Sequence, residues 1–443
     1  MFKNKYSAWI ISFTIFLTLP CHAPAQGLDR LVRDDLPGLM EMYRERHLTP
    51  ELSYFEKNTS EKLARELSEL GFEVTRPVGK FPGGEYTCYG VVAVMENGEG
   101  PTVLVRTDMD ALPIDEKTGA PFASTVRMKD VSGEEVSVMH ACGHDMHQTV
   151  LVGTARVLTR MKDRWSGTLI MIGQPAEERG SGARAMLADG LFERWPVPDY
   201  CLAEHVDPTI ETGKVGYCAG YAMANVDMLN ITIHGVGAHG AKPHQGRDPV
   251  VIAAQVINAL QTVVSREIDP VEPAVVTVGS IHGGTKHNII PDQVHLQLTV
   301  RSFSPAVRQT IIEAIERITV NTCRAAGLPE ELMPVIGGGH EYTPSLYNDP
   351  ALTDSTARAF RIEFGEENVV EIKPATSGED FSEYGRTPHK VPILMFRLGS
   401  AEPGSDPKAR PGLHSPFFIP VTEPTIITGV RAMTAAVLNL MGK

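Results

Sequence analysis

Positive charge is what this sequence most lacks: 41 Lys and Arg stand against 54 Asp and Glu, a formal net charge of −13. No basic face is available to neutralise phosphates, which excludes nucleic acid as a partner and makes any polyanion a poor one. Internal repeats and low-complexity tracts are missing as well, and the one polar excursion is RMKDVSGEEVSV, just before His140. Long apolar runs are confined to the N-terminus. There Lys3 and Lys5 precede Trp9 to Leu19, too short to span a bilayer, and Ala23 to Ala25 supply small residues for a cleavage site. This reads as a secretory signal peptide cut after Ala25, which places the mature protein in the periplasm or outside the cell. Pro20 before Cys21 fits a lipoprotein signal poorly, and no later stretch is expected to cross a membrane.

Cysteine is sparse too. Removing Cys21 from the six leaves Cys88, Cys142, Cys201, Cys218 and Cys323, an odd number, so after export at least one is free, in a mixed pair or bound to something. Cys142, between His140 and His144, is set aside from pairing. What remains is an ordinary globular composition, 42% hydrophobic and 21% charged over 443 residues, enough for two or three domains with a large core.

Along the chain, strands alternate with helices. NTSEKLARELSELGFEV has a cap-like start at Asn58 to Ser60, apolar positions at helical spacing and Gly71 as a stop. YGVVAVM and PTVLVRTDMDAL read as buried strands, the second ending in Asp108 and Asp110. GTLIMIGQPAEE runs into Glu177 and Glu178, and DYCLAEHV ends in His205. Ligand-type residues delivered to the carboxyl ends of apolar strands are what a mostly parallel α/β sheet offers a ligand. From Asn225 the order becomes β-α-β-β-α-β, with helices at Pro249 to Arg266 and Ser304 to Ala326, the pattern of a ferredoxin-like unit. The α/β pattern then resumes with VPILMFRLG and a closing helix from Glu423 to Met441. The expected organisation is a signal peptide at 1–25, a catalytic domain at 26–222 and 336–443, and an inserted ferredoxin-like domain at 223–335.

Two clusters carry chemistry. In HACGHDMHQTV, Cys142 and His144 are two apart and share a side of an extended segment, a thiolate and an imidazole suited to zinc-like metals. A small buried cysteine beside a satisfied histidine is the rival explanation, and His147 could simply cap a helix or face the sheet. In QPAEERGSGA, Glu177 and Glu178 at a strand end would point to opposite sides, one to a metal and one to water. A solvated acidic turn is the alternative there.

These segments, with RTDMDALPIDEKTGAPFAS, GAHGAKPH, HNIIPD, SGEDFS and LHSP, resemble the hippurate hydrolase and N-acyl-amino-acid amidohydrolase branch of the aminoacylase-like metallopeptidases over nearly the whole mature chain. The resemblance implies a zinc-peptidase-like catalytic domain whose site holds two divalent ions, zinc, manganese, nickel or cobalt. It assigns Cys142, His144, Glu178, His205 and His414 as ligands and Glu177 as general acid and base. His239 in GAHG would support the oxyanion from a partner subunit in a homodimer, which makes the inserted domain a dimerisation and lid domain. Asn288 and Arg301 would grip the free carboxylate of the amino-acid half, Gly378 and Asp380 in SGEDF would shape the cleft wall, and Asp108 would stand behind the ligands. Related branches carry a histidine two before that aspartate; this chain has Arg106, so Cys142 supplies the bridging charge. AEHV, with Glu204 beside His205, is a second departure.

The resulting expectation is an amidohydrolase that uses metal-activated water to release an amino acid from a small N-acyl or aryl-acyl conjugate. Three rivals are a secreted dipeptidase or carboxypeptidase on the same scaffold, thiol chemistry with Cys142 as nucleophile, and a non-catalytic binder. The last would show a missing Glu177 or ligand, and none is missing.

Overall fold

The computed structural model describes residues 23–443. The expected leader lies outside them except for its last three residues, which open the long helix Ala23–Leu48. Eight strands form the main sheet, in the spatial order Glu73–Lys80, Thr87–Asn97, Gly167–Gln174, Thr102–Asp108, Tyr200–Glu211, Ile393–Ala401, Val215–Tyr217 and Val369–Glu371. From Gly167–Gln174 through Ile393–Ala401 the neighbours run parallel, while the first two pairings are antiparallel. Thr102–Asp108 is buried from Val103 onward, as a strand covered on both faces must be.

One face is covered by Ala23–Leu48, Lys57–Glu69, His144–Arg160, Pro350–Phe364 and Thr422–Met441, which enclose Leu39, Tyr43, Trp165, Phe360 and Phe396. On the other face, Gly182–Ala188 and the turn Asp380–Arg386 pack over Leu104, Ile172, Phe381 and Tyr384. Contrary to the expectation that nothing beyond the leader could cross a membrane, Thr422–Met441 is long and apolar enough by composition. Its apolarity has another cause: Ile426, Val430, Met433 and Val437 are fully enclosed in the core.

The second sheet, Ala274–Gly283, Gln293–Ser302, Asn225–His234 and Val335–Thr343 in that order, is antiparallel and carries Pro249–Thr262 and Pro305–Ala325. This is the expected β-α-β-β-α-β order. Its last strand runs on to Thr343, past the boundary drawn at 335, because Val226 to Met228 still pair with 341 to 343. The helix expected from Asn58 starts at Lys57 instead, since the Glu51 carboxylate, from outside the helix, accepts the backbone N–H groups of Asn58 and Thr59.

Candidate metal centre and active site

The parallel strands end on one edge of the main sheet, and the loops beyond them carry the site. Thr102–Asp108 delivers Asp108 and, just past its end, Asp110. Glu177 and Glu178 do not lie at a strand end pointing apart, as the sequence suggested, because the strand stops at Gln174. Their turn passes through Ala176 at φ 50° and is held by Asp110, whose two carboxylate oxygens accept the N–H of Glu177 at 3.1 Å and of Glu178 at 3.0 Å. Both side chains therefore reach the same imidazole: His144 Nε2 is 3.9 Å from Glu177 Oε2 and 3.8 Å from Glu178 Oε1.

Cys142 and His144 share no extended segment either. Gly143, at φ 81°, turns the chain so that His144 opens the helix His144–Arg160. A side chain at Gly143 would be strained there and would meet Val206 Cγ2 at 2.5 Å. The turn still unites the expected donors: Cys142, His144 and His205 form one group with ligand atoms within 4.8 Å of one another, and Cys142, Glu178 and His414 form another. Cys142 Sγ lies 3.4 Å from His205 Nε2, and His205 Nδ1 donates to the Val206 carbonyl at 2.8 Å, which leaves the Nε2 lone pair to face the cluster as a metal ligand. His414 sits at φ 63°, unusual for a residue with a β-carbon, with its N–H bonded to the Ala141 carbonyl at 2.8 Å and its Nε2 3.4 Å from Glu178 Oε1.

The residues fit divalent ions. His144 Nδ1 lies 3.3 Å from Asp110 Oδ1 and Glu178 Oε1 3.4 Å from His414 Nε2, but neither ring nitrogen of His144 nor Oε1 of Glu178 completes a well-aligned hydrogen bond in its buried place, a cost that a cation at this point would remove. Although burial opposes charge on His144, Asp108, Asp110 and Glu178 hold its pKa up at about 10, so the cluster attracts positive charge. Burial pushes the Cys142 thiol well up, with Glu178 and Glu177 adding to the effect, which opposes an unassisted thiolate nucleophile. Sulfur, imidazole and carboxylate donors together suit the borderline transition metals.

Behind the donors lies a buried network that joins Arg106, Asp108, His147 and Asp380, each named from the sequence, with Gln174 and Glu379, which were not. Arg106 donates to Gln174 at 3.0 Å, Asp108 at 2.7 Å, Glu379 at 2.9 Å and Asp380 at 3.2 Å. His147 donates from Nδ1 to Asp108 at 2.7 Å and accepts the Val206 N–H on Nε2 at 3.0 Å. It is thereby a strut between Asp108 and the residue after His205, with both nitrogens engaged. Burial, with Glu379, Glu178 and Asp380, pushes the Glu177 carboxyl well above the usual range. Glu204 points away from the donors, buried with both oxygens unpartnered, and burial holds its pKa at about 6. All five described cysteines are free and buried.

The donors open into a cleft of about 910 Å³, lined also by Arg301, Gly378 and Asp380. His239 and Asn288 do not line it. They lie side by side on an exposed tip of the second sheet's unit, where Gly240 N–H donates to the Asn288 carbonyl at 2.8 Å and His239 Nδ1 accepts the Ala241 N–H at 3.0 Å. Asp110, placed by the sequence beside Asp108 at the end of that strand, proves to tie down the Glu177 turn; that Arg106 meets Gln174, Glu379 and Asp380 had no sequence signal.

An α/β sheet whose loop edge gathers thiol, imidazole and paired carboxylates in an open cleft defines a metal-dependent hydrolase. Residues 104–439 match the model of peptidase family M20/M25/M40. The chain belongs to this family of amide-bond hydrolases. It is 37% identical to the N-acetyl-L-cysteine deacetylase of Bacillus subtilis, over 78% of this chain and 77% of that one. It is 36% identical to thermostable carboxypeptidase 1 of Saccharolobus solfataricus, over 83% and 87%. The crystal structure of Bacillus subtilis YXEP, described as a dinuclear metal-binding peptidase of the M20 family, superposes with a TM-score of 0.73 at 29% identity, covering 92% of this chain and 99% of that one.

Proposed function

We propose that this protein hydrolyses the amide bond of N-acyl or aryl-acyl amino-acid conjugates, hippurate-like compounds among them, at a two-metal site held by Cys142, His144, Glu178, His205 and His414. The observation that carries the reading is the presence in one cleft of two ligand groups, a separate carboxylate at Glu177 and a guanidinium at Arg301. Divalent ions there would acidify water and polarise the scissile carbonyl. Glu177 takes the water's proton and passes it to the leaving nitrogen, so that water adds across the amide and a carboxylate and an amine depart. Arg301, whose planar fork matches a carboxylate, holds the amino-acid half, and Gly378 lets that wall approach Val226, since a Cβ there would meet Val226 Cγ2 at 2.4 Å.

His239 and Asn288 are exposed and outside this chain's own cleft, which supports their reaching the cleft of a second copy in a homodimer. Export, with cleavage after Ala25, is part of the same reading and rests on the leader sequence. A relative named as a carboxypeptidase favours one alternative, cleavage of free peptides. The test is a panel of hippurate, N-acetyl amino acids, indoleacetyl amino acids and free dipeptides, with chelator and metal add-back. Chelator-sensitive cleavage of the blocked compounds is expected; cleavage confined to free dipeptides would replace this reading with the peptidase one.

A further inference from the structure

Arg397 is a cation in the cleft that the hydrolytic scheme leaves unused. It lies on Ile393–Ala401, and the parallel register sets it directly beside His205, so both side chains leave the same face of the main sheet. On its other side it pairs with Gly216, where any Cβ would sit 3.2 Å from Arg397 Cβ; the glycine leaves the arginine room. The cleft wall it shares includes apolar Cys218, Ala222, Met223, Leu346, Ile372 and Met395, with His205 as its polar neighbour on the adjoining strand. Its one hydrogen bond among the described residues goes to the Met223 thioether, from Nη2 to Sδ at 2.8 Å. A guanidinium carries five N–H donors and thioether sulfur is a weak acceptor, so most of its capacity is unspent. Arg397 makes no ion pair among the described residues, unlike Arg106, which meets three carboxylates. Lys373, exposed and also without an ion pair among the described residues, lines the same cleft.

We infer that Arg397 is a specificity-determining residue and that the preferred substrate is a dianionic conjugate, an N-acyl amino acid whose acyl half ends in a second carboxylate. The inference rests on the amide-hydrolase reading above and adds the substrate class. Arg301 comes from the second sheet and Arg397 from the main sheet, next to a ligand histidine, so the cleft presents cations from two walls. A neutral aliphatic or aryl acyl group would leave the Arg397 guanidinium facing thioethers and hydrocarbon. A terminal carboxylate gives it a charge-assisted partner.

The test compares kcat/KM of the metal-loaded enzyme for N-succinyl-L-alanine, its neutral succinamoyl counterpart and N-butanoyl-L-alanine. A hydrogen-bonded charge pair leads us to expect a preference for the succinyl compound of roughly tenfold to a hundredfold, falling as salt is added. In Arg397→Met the succinyl-to-succinamoyl ratio should fall to about one, chiefly through KM, and Arg397→Lys should restore part of it. Thermal unfolding of each variant checks that the fold survives. Equal losses on all three compounds would mean that Arg397 grips the α-carboxylate they share, or is structural, and would overturn the assignment. An Arg397-dependent preference for N-butanoyl-glutamate over N-butanoyl-glutamine would overturn it by moving the second carboxylate to the amino-acid half. Wild-type cleavage of N-butanoyl-L-alanine with no succinyl preference would sink this inference alone; failure to cleave any blocked compound would sink the hydrolase reading and this inference with it.

Discussion

Removing Arg106 tests how the site is held together. Its guanidinium is fully buried and meets Asp108 at 2.7 Å, Glu379 at 2.9 Å and Asp380 at 3.2 Å, with Gln174 as a neutral fourth partner. Arg106→Met keeps most of the volume but leaves three buried carboxylates without their cation. Breaking one buried pair costs about 3 to 5 kcal/mol, because the surviving charge has no solvent to fall back on. Three partners share one cation here, and they can relieve the strain by taking up protons, so the loss should stay near that range instead of tripling. The assay is urea unfolding of the metal-stripped protein followed by fluorescence, with Trp165, fully buried against the helical layer, as the reporter. Burial already raises the Asp380 pKa to about 7, with Glu379 adding to the rise against the pull of Arg106. A carboxyl raised in the folded state contributes most below its unfolded value and loses that contribution as pH rises. The variant's deficit should therefore widen from pH 5 to pH 8. A deficit below about 1 kcal/mol, or one independent of pH, would refute the claim that the guanidinium neutralises this cluster.

Glu177→Gln should bind metal at wild-type stoichiometry while losing about 10²- to 10⁴-fold in kcat, the range of a general base; wild-type rates with metal retained would remove that role. Cys142→Ser should lose metal by elemental analysis, since Cys142 belongs to both ligand groups, and unchanged metal content would take the thiolate out of the site. His47 lies between Asp145 at 2.7 Å and Glu116 at 3.0 Å, and these carboxylates overcome its burial to hold its pKa at about 10. Its contribution is then full below about pH 6.5 and lost as pH rises toward 10, at most about 5 kcal/mol at 1.4 kcal/mol per unit. His47→Gln should flatten the alkaline fall in stability, and parallel wild-type and variant curves would contradict this.

Strands and helices were legible because their periodicity is local. Val103 to Val105 read as a doubly covered strand and are one, and the helix Pro305–Ala325 begins where Ser304 caps it. The site was legible as a list of residues more than as geometry. Cys142, His144, Glu178, His205 and His414 do come together, but neither spacing argument used to join them survives. Cys142 and His144 are related by the left-handed turn at Gly143, and Glu177 and Glu178 by a turn tied to Asp110 from sixty-odd residues away. Partners so distant in sequence leave no periodic trace. Glu379 and Asp380, which meet Arg106 at |i−j| of 273 and 274, are the extreme case.

The arginine at 106 also bears on the choice of ion. A guanidinium has no lone pair to offer a metal, and this one is turned toward Gln174, Glu379 and Asp380. It also takes Oδ2 of Asp108, whose Oδ1 is engaged by His147, so that carboxylate is occupied on both sides. With Asp108 committed to hydrogen bonds, Cys142 is common to the His144 and His205 group and the Glu178 and His414 group, and His144 also lies in a group with Glu177 and Glu178. A thiolate ligand at that point would disfavour hard cations such as magnesium and calcium and favour softer ions such as zinc.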